Sequence, residues 1–70
     1  MTFAVNGKMD SAEAERLSVV ELLELKDVEM PHMVSVQLNG DFLDRSAFES
    51  TFVTNGDEVE FLYFMGGGAL

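Results

Sequence analysis

Hydrophobic and polar residues alternate along three stretches of the chain, and a dipeptide of asparagine followed by glycine adjoins each stretch. This dipeptide favours tight turns because both of its residues tolerate positive φ. The first stretch surrounds Asn6-Gly7, where the alternation predicts a β-hairpin with Phe3 and Val5 facing the core.

Two further dipeptides mark the later strands. A predicted strand over residues 33–38 precedes Asn39-Gly40, and a short returning strand over residues 42–43 follows it. Asn55-Gly56 precedes residues 57–65, which form the longest strand candidate. Strict alternation predicts which side chains of these strands face the core: Val34, Val36, Leu38, Val59 and Phe61.

A single helix is predicted between the hairpin and the middle strand. Ser18 and Glu21 have the spacing of a capping box, in which each side chain accepts a hydrogen bond from the other residue's backbone N–H. Pro31 then favours an extended approach to the next strand. The residues expected to share one helical face and to lie on the sheet are Val19, Leu22, Leu23 and, as a fourth candidate, Lys26.

The order of elements predicts an α+β fold. A short helical turn is expected over residues 45–49, with Phe48 and Phe52 as core anchors. A mixed sheet of about five strands with one helix packed across one face is the arrangement of the ubiquitin-like β-grasp. By analogy with that fold, the first and last strands would be neighbours at the sheet centre. Residues 1–65 would form this domain, and residues 66–70 a flexible glycine-rich tail.

Composition excludes several classes of function. The 70 residues include no cysteine, and the only histidine is His32, which is expected in a solvated loop. Disulfides and thiolate metal sites are therefore excluded, and neither a metal site nor a bound cofactor is expected. No catalytic constellation is visible, so the chain is not expected to be an enzyme.

The formal net charge is −9, from 13 acidic and 4 basic residues. Nucleic acids and anionic membranes are unfavourable partners, because binding to either one requires basic residues. The acidity favours a partner with a basic surface, or it serves only solubility. No signal peptide is visible and no apolar run approaches the roughly 20 residues of a membrane span, so a cytoplasmic protein is expected.

The last strand carries a candidate partner-binding surface. Glu58 and Glu60 alternate with core residues, and strict alternation places Leu62 and Phe64 with them on the outer face of the sheet. Large apolar side chains on an open sheet face suggest a docking surface. The alternative is a bulge that turns Phe64 inward.

The glycines that follow this strand are the second part of the candidate site. Gly66, Gly67 and Gly68 have no side chains, so this segment can enter a narrow channel. They lack the following lysine and helix that a phosphate-binding loop requires. A frayed chain end is the alternative interpretation.

Taken together, these segments resemble the thiamine-biosynthesis sulfur carriers (ThiS), with the molybdopterin synthase small subunit (MoaD) as a more distant relative. The resemblance includes the hairpin at Asn6-Gly7, the helix start over residues 18–23, and the strand and turn over residues 36–40. Its strongest part is residues 55–68, where Gly-Asp precedes an apolar strand that ends in glycines.

The resemblance implies that the chain is a carrier and not a catalyst. A ThiF/MoeB-like adenylating enzyme would use ATP to join AMP to the terminal glycine carboxylate, and sulfur from a cysteine persulfide would then leave a thiocarboxylate. A synthase such as thiazole synthase would accept this sulfur. The glycines would reach the adenylating active site while the outer sheet face docks on the enzyme's surface.

Ala69-Leu70 departs from this family pattern, because family members generally end at the second or third glycine. Gly68 is therefore the residue expected to be modified once a protease, by resemblance a zinc metalloprotease, removes the two residues after it. Two alternatives remain open at this point. The chain could be a ubiquitin-like modifier conjugated through Gly68, or a non-covalent β-grasp interaction domain.

Overall fold

The structure, a computed structural model, describes residues 1–28 and 33–63. Its elements in chain order are β1 (Thr2–Val5), β2 (Lys8–Ser11), β3 (Leu17–Ser18), α1 (Val19–Leu25), β4 (Val34–Leu38), β5 (Asp41–Phe42), a 3-10 turn (Arg45–Ala47), β6 (Phe52–Val53) and β7 (Glu58–Tyr63). Four predictions concern positions outside the described residues: those for Pro31, His32, Phe64 and residues 66–70. The division of the chain at residue 65 stays a prediction.

Five strands form one mixed sheet in the order β2-β1-β7-β4-β5. The central strands β1 and β7 are parallel, with Ala4 opposite Glu58, and the other pairs are antiparallel. One helix covers one face of this sheet. The predicted ubiquitin-like β-grasp is therefore confirmed, including the first and last strands as central neighbours.

The three asparagines of the Asn-Gly turns also tie the turns to the central strands. Asn6 and Asn39 both adopt a φ of 52°, which Asn tolerates better than other residues with a Cβ. Each asparagine side-chain oxygen accepts a backbone N–H: Asn6 from Phe61 (2.8 Å), Asn39 from Glu58 (2.9 Å) and Asn55 from Thr2 (2.8 Å). These bonds fix the positions of β1 and β7 relative to the turns. A glycine in place of any of the three asparagines would lack the side-chain oxygen that accepts the bond.

The capping box at the start of α1 is confirmed. The Glu21 N–H donates to Ser18 Oγ at 3.0 Å, and the Ser18 N–H donates to Glu21 Oε1 at 2.9 Å. The helix ends at Leu25, so Lys26 is the C-terminal cap and no longer follows the helical period. The prediction that Lys26 faces the sheet is therefore wrong, and its exposed side chain pairs with Asp10 on β2.

The core lies between α1 and the sheet. Phe48 is buried as predicted, whereas the prediction for Phe52 is wrong, because its side chain is 37% exposed. Phe52 and Val53 are successive residues of β6, so they point to opposite faces, and Val53 is the buried one. The guanidinium of Arg16 lies 4.3 Å from the centroid of the Phe52 ring. β6 pairs with β3 in a small second sheet that the sequence did not predict.

Candidate functional site

The last strand separates core residues from surface residues by alternation. In β7, Val59 and Phe61 are buried against the helix side, while Glu58 and Glu60 are exposed. By the same alternation, Leu62 lies on the face of the glutamates, which is the sheet face away from the helix, and its side chain is half-buried there. The structure thus brings three of the four predicted docking residues together, and their contact with a partner stays a prediction.

Strand pairing extends this surface across the whole sheet. Ala4 lies opposite both Met9 and Glu58, and Gln37 lies opposite both Glu60 and Phe42. Side chains directly opposite each other lie on the same face of a sheet. We call this surface the outer face, and its members are Met9, Ala4, Glu58, Glu60, Leu62, Ser35, Gln37 and Phe42.

Two of these residues, Met9 and Phe42, are not among the predicted docking residues. They are also the most exposed large apolar side chains of the described part, at 73% and 63%. The signal that could have identified them is the pair of two-residue Asn-Gly turns. Such turns fix the hairpin register, and the register determines which face each residue of the returning strand occupies.

The outer face has a negative centre and apolar ends. Glu58 and Glu60 occupy the central strand, with Met9 near one sheet edge and Phe42 near the other. The cross-strand neighbours of the two glutamates are Ala4 and Gln37, so neither of these neighbours neutralises a carboxylate. A partner that fits this surface carries basic groups at its centre and apolar side chains around them.

Asp57 holds the start of β7 in place. Its carboxylate accepts the backbone N–H of Thr54 at 2.8 Å, the Thr54 hydroxyl at 3.2 Å and the side-chain N–H of Asn39 at 3.1 Å. Burial raises the pKa of Asp57, but these hydrogen bonds to the ionised form outweigh it, so the pKa lies below 3.8. Asp57 is the aspartate of the Gly-Asp pair noted in the sequence, and the structure gives it this anchoring role.

A pH dependence of stability follows from Asp57. The pKa of Asp57 is lower in the folded state than in the unfolded state, so the ionised carboxylate stabilises the fold at pH values above the unfolded-state pKa. This stabilisation is lost as the pH falls through the folded-state pKa. Asp57→Asn is expected to be less stable than the parent chain near pH 7. Between about pH 5 and about pH 2, its free energy of unfolding is expected to fall less steeply than that of the parent.

Urea unfolding at a series of pH values measures this difference. Asp41→Asn is the matched control, because Asp41 is an exposed carboxylate on edge strand β5. The control is expected to follow the parent chain. An Asp57→Asn variant that loses stability on acidification as steeply as the parent would show that Asp57 does not anchor β7.

Metal sites and membrane-spanning helices are absent from the described part of the chain. Within residues 1–28 and 33–63, no group of three histidine, cysteine or acidic residues could hold a metal ion. No helix within the same ranges has the length and apolar character needed to cross a membrane. The candidate site is therefore the outer face together with the three glycines predicted as the modified end, which lie outside the described residues.

Comparison with known proteins assigns the family. The sequence model of the ThiS family matches residues 2–68. The chain belongs to the ThiS family. The crystal structure of a thiamine biosynthesis protein (ThiS) from Geobacter metallireducens is 52% identical to this chain, with a TM-score of 0.90. That match covers 97% of this chain and 100% of the other.

The same Geobacter metallireducens protein is also known from a solution structure. That structure of a thiamine biosynthesis protein, again 52% identical, matches this chain with a TM-score of 0.80. The match covers 100% of this chain and 91% of the other. Among curated proteins, none matches the chain significantly. The fold and the family are therefore established by independent comparisons of structure and sequence.

Proposed function

We propose that this ThiS-family chain is a sulfur carrier protein, a cosubstrate for other enzymes, that carries sulfur as a thiocarboxylate on Gly68. The observation that carries the proposal is the family match over residues 2–68, which includes the glycines and ends at Gly68. The similarity to a thiamine biosynthesis protein at 52% identity supports a place in thiazole formation or a related sulfur-transfer pathway.

The chemistry requires activation of a poor electrophile. A ThiF/MoeB-like adenylating enzyme converts the Gly68 carboxylate and ATP into an acyl adenylate and pyrophosphate. The terminal sulfur of a cysteine persulfide then displaces AMP and forms an acyl disulfide. A second thiol attacks the cysteine sulfur of this acyl disulfide, so that the thiocarboxylate leaves and a disulfide forms between the cysteine and the second thiol. A sulfur-accepting synthase such as thiazole synthase consumes the thiocarboxylate. ATP binds the partner in this scheme, so the carrier needs no cofactor of its own.

Glycines at positions 66 to 68 suit this role for a steric reason. A segment without side chains can pass through a narrow channel while the folded body stays outside. Residues after Gly68 block the reaction because they occupy its carboxyl group in a peptide bond. Removal of Ala69-Leu70 by a protease, with a zinc metalloprotease as the candidate, therefore precedes activation and serves as a gate.

The outer face is the proposed docking surface for the adenylating enzyme. Its exposed apolar residues provide area that a partner can bury, and its central glutamates select a partner with basic groups. Leu62 lies at the end of β7 that leads toward the glycines. Docking through this face would therefore bring the start of the tail close to the partner.

A charge placed on the outer face is expected to weaken docking. Leu62→Glu should lower the affinity for the adenylating enzyme at least about tenfold, because it buries an unpaired carboxylate in an apolar contact. The matched control is Leu25→Glu, which introduces the same charge at a 55%-exposed leucine on α1. Calorimetric titration measures both affinities. Equal affinities for the two variants would contradict docking through the outer face.

Product analysis distinguishes the carrier from the ubiquitin-like modifier. A chain ending at Gly68 is incubated with the adenylating enzyme, ATP and a persulfide donor in the presence of cell proteins. A carrier is expected to gain about 16 Da and to react with thiol-specific alkylating reagents, since sulfur replaces one oxygen. Amide adducts of Gly68 with lysines of other proteins, without a thiocarboxylate, would instead identify a modifier.

A further inference from the structure

β2 is an edge strand of the sheet, and alternate residues of this strand, Met9 and Ser11, have backbone groups that point outward. The Ser11 N–H already donates to Asp10 Oδ1 at 2.8 Å. Hydrogen-bonded and non-hydrogen-bonded pairs alternate along an antiparallel ladder. Met1 and Ala12 exchange two hydrogen bonds, at 2.7 and 3.0 Å, which fixes that alternation in the hairpin. Ala4 opposite Met9 is therefore a non-hydrogen-bonded pair, so the Met9 N–H and C=O point away from β1.

An independent bond confirms this alternation. The Ala4 N–H donates to the Asp57 carbonyl at 3.0 Å, on the opposite side from β2. Ala4 therefore uses its backbone on the β7 side. Met9, its cross-strand neighbour, presents its own backbone at an edge of the sheet that no strand of residues 1–28 or 33–63 covers.

The side chains around Met9 form a self-complementary pattern. Lys8 precedes Met9 and Asp10 follows it, so opposite charges lie on either side of the outward backbone groups. Asp10 also pairs with Lys26 of its own chain, so a lysine of a second copy would share this carboxylate with Lys26. If a second β2 strand pairs antiparallel with Met9 at the centre, Lys8 of each copy lies opposite Asp10 of the other. The two Met9 residues then exchange two N–H···O bonds.

We propose that two copies of this chain associate through antiparallel pairing of their β2 strands, centred on Met9. The product is a continuous ten-stranded sheet, five strands from each copy. The two-fold axis is perpendicular to the sheet, so both outer faces lie on the same side of the dimer. This inference goes beyond the proposed sulfur transfer and does not depend on it.

Two features of β2 support a second copy as the occupant. Met9 is 73% exposed on the outer face, and pairing places it against the same residue of the other copy. Charges on an edge strand usually prevent pairing with unrelated strands. Here their order, positive then negative around the centre, repels most strands but matches an antiparallel copy. The net charge of −9 on each copy opposes association. At physiological salt, repulsion between charges more than about 8 Å apart is screened, whereas the attraction between Lys8 and Asp10 in direct contact is screened much less.

A charge-swap experiment tests the proposal. Sedimentation equilibrium at about 150 mM salt, with the full chain from about 10 µM to about 1 mM, is expected to show dimers. Lys8→Asp and Asp10→Lys each place like charges opposite each other twice and are expected to weaken dimerisation about tenfold. Asp10→Lys also removes the pair with Lys26 of the same chain, whereas Lys8→Asp leaves that pair intact, so a weakening shared by both variants reports the pairing between copies. An equimolar mixture of the two variants restores both opposite-charge pairs, so it is expected to form heterodimers.

The design separates this pairing from a general effect of charge. Asp10→Lys makes the chain less negative, so association limited only by net repulsion would strengthen in that variant. Met9→Pro provides a second test, because it removes the outward N–H but no bond to β1. It is expected to be monomeric. Circular dichroism verifies each fold, and the charge-swap pair decides the question even if the proline variant unfolds. A parent chain that stays monomeric at about 1 mM, or a mixture that stays monomeric, would overturn the proposal.

Discussion

A chain ending at Gly68 is expected to support ATP–pyrophosphate exchange by a ThiF/MoeB-like adenylating enzyme, whereas the chain ending at Leu70 supports none. Adenylation requires a free carboxylate, and in the longer chain the Gly68 carboxyl group is part of a peptide bond. The longer chain ends in leucine, whose branched side chain would be too wide for the narrow channel proposed to admit the glycines. The expected difference in rate is at least about a thousandfold, because the reacting group is displaced by two residues.

The controls separate activation from docking. Both chains contain the complete outer face, so they are expected to bind the adenylating enzyme with equal affinity. A chain ending at Gly67 tests the position of the reacting residue and is expected to be a much poorer substrate than the chain ending at Gly68. Equal exchange with the chains ending at Gly68 and Leu70 would contradict the proposal that removal of the last two residues is required.

Phe3→Ala is expected to remove most of the free energy of unfolding of the parent chain. Phe3 is fully buried in the central strand β1, at 0% exposure. Removing such a buried ring costs about 3–5 kcal/mol, through lost burial and the cavity that remains. Native domains are stable by only about 5–15 kcal/mol, and a domain of this size lies near the lower limit.

Urea unfolding followed by circular dichroism measures this loss. Phe42→Ala is the matched control, because it removes the same ring from a position that is 63% exposed. The control is expected to change the free energy of unfolding by less than about 0.5 kcal/mol. Similar losses for the two variants would contradict the placement of the core on the helix side of the sheet.

The parts of the fold that residue patterns alone predicted are those determined by local interactions, whereas the pairing of β1 with β7 was predicted by analogy with the β-grasp. The type of turn at Asn6-Gly7 depends only on the backbone preferences of those two residues, and both adopt positive φ as expected. The capping box joins Ser18 and Glu21, which are three residues apart. Such signals are complete within a few residues, so they can be interpreted without knowledge of the rest of the chain.

The parts that the sequence did not predict depend on contacts distant in the chain. β3 and β6 have two residues each, too few to show an alternation, and they become strands only because Leu17 pairs with Val53. The error at Phe52 has the same origin. Without the pairing partner, the larger of two neighbouring apolar residues was expected in the core, but the strand direction buries the smaller one.

The candidate site was predictable to different degrees. Alternation along β7 was sufficient to place Leu62 with the glutamates, whereas Met9 and Phe42 required cross-strand register. The role of the glycines came from family resemblance, because residues without side chains show no pattern of burial or charge. Membership of the ThiS family supports a sulfur-carrier role for the chain, and the role of Gly68 stays a prediction.

Intact mass spectrometry of the protein isolated from its own cells shows whether Gly68 is the end that carries sulfur. We expect a chain that ends at Gly68, with a fraction heavier by about 16 Da because sulfur replaces one carboxylate oxygen. A chain that still ends at Leu70 under every growth condition would contradict this expectation. That result would show that the glycines are not a working terminus and would favour a non-covalent binding domain.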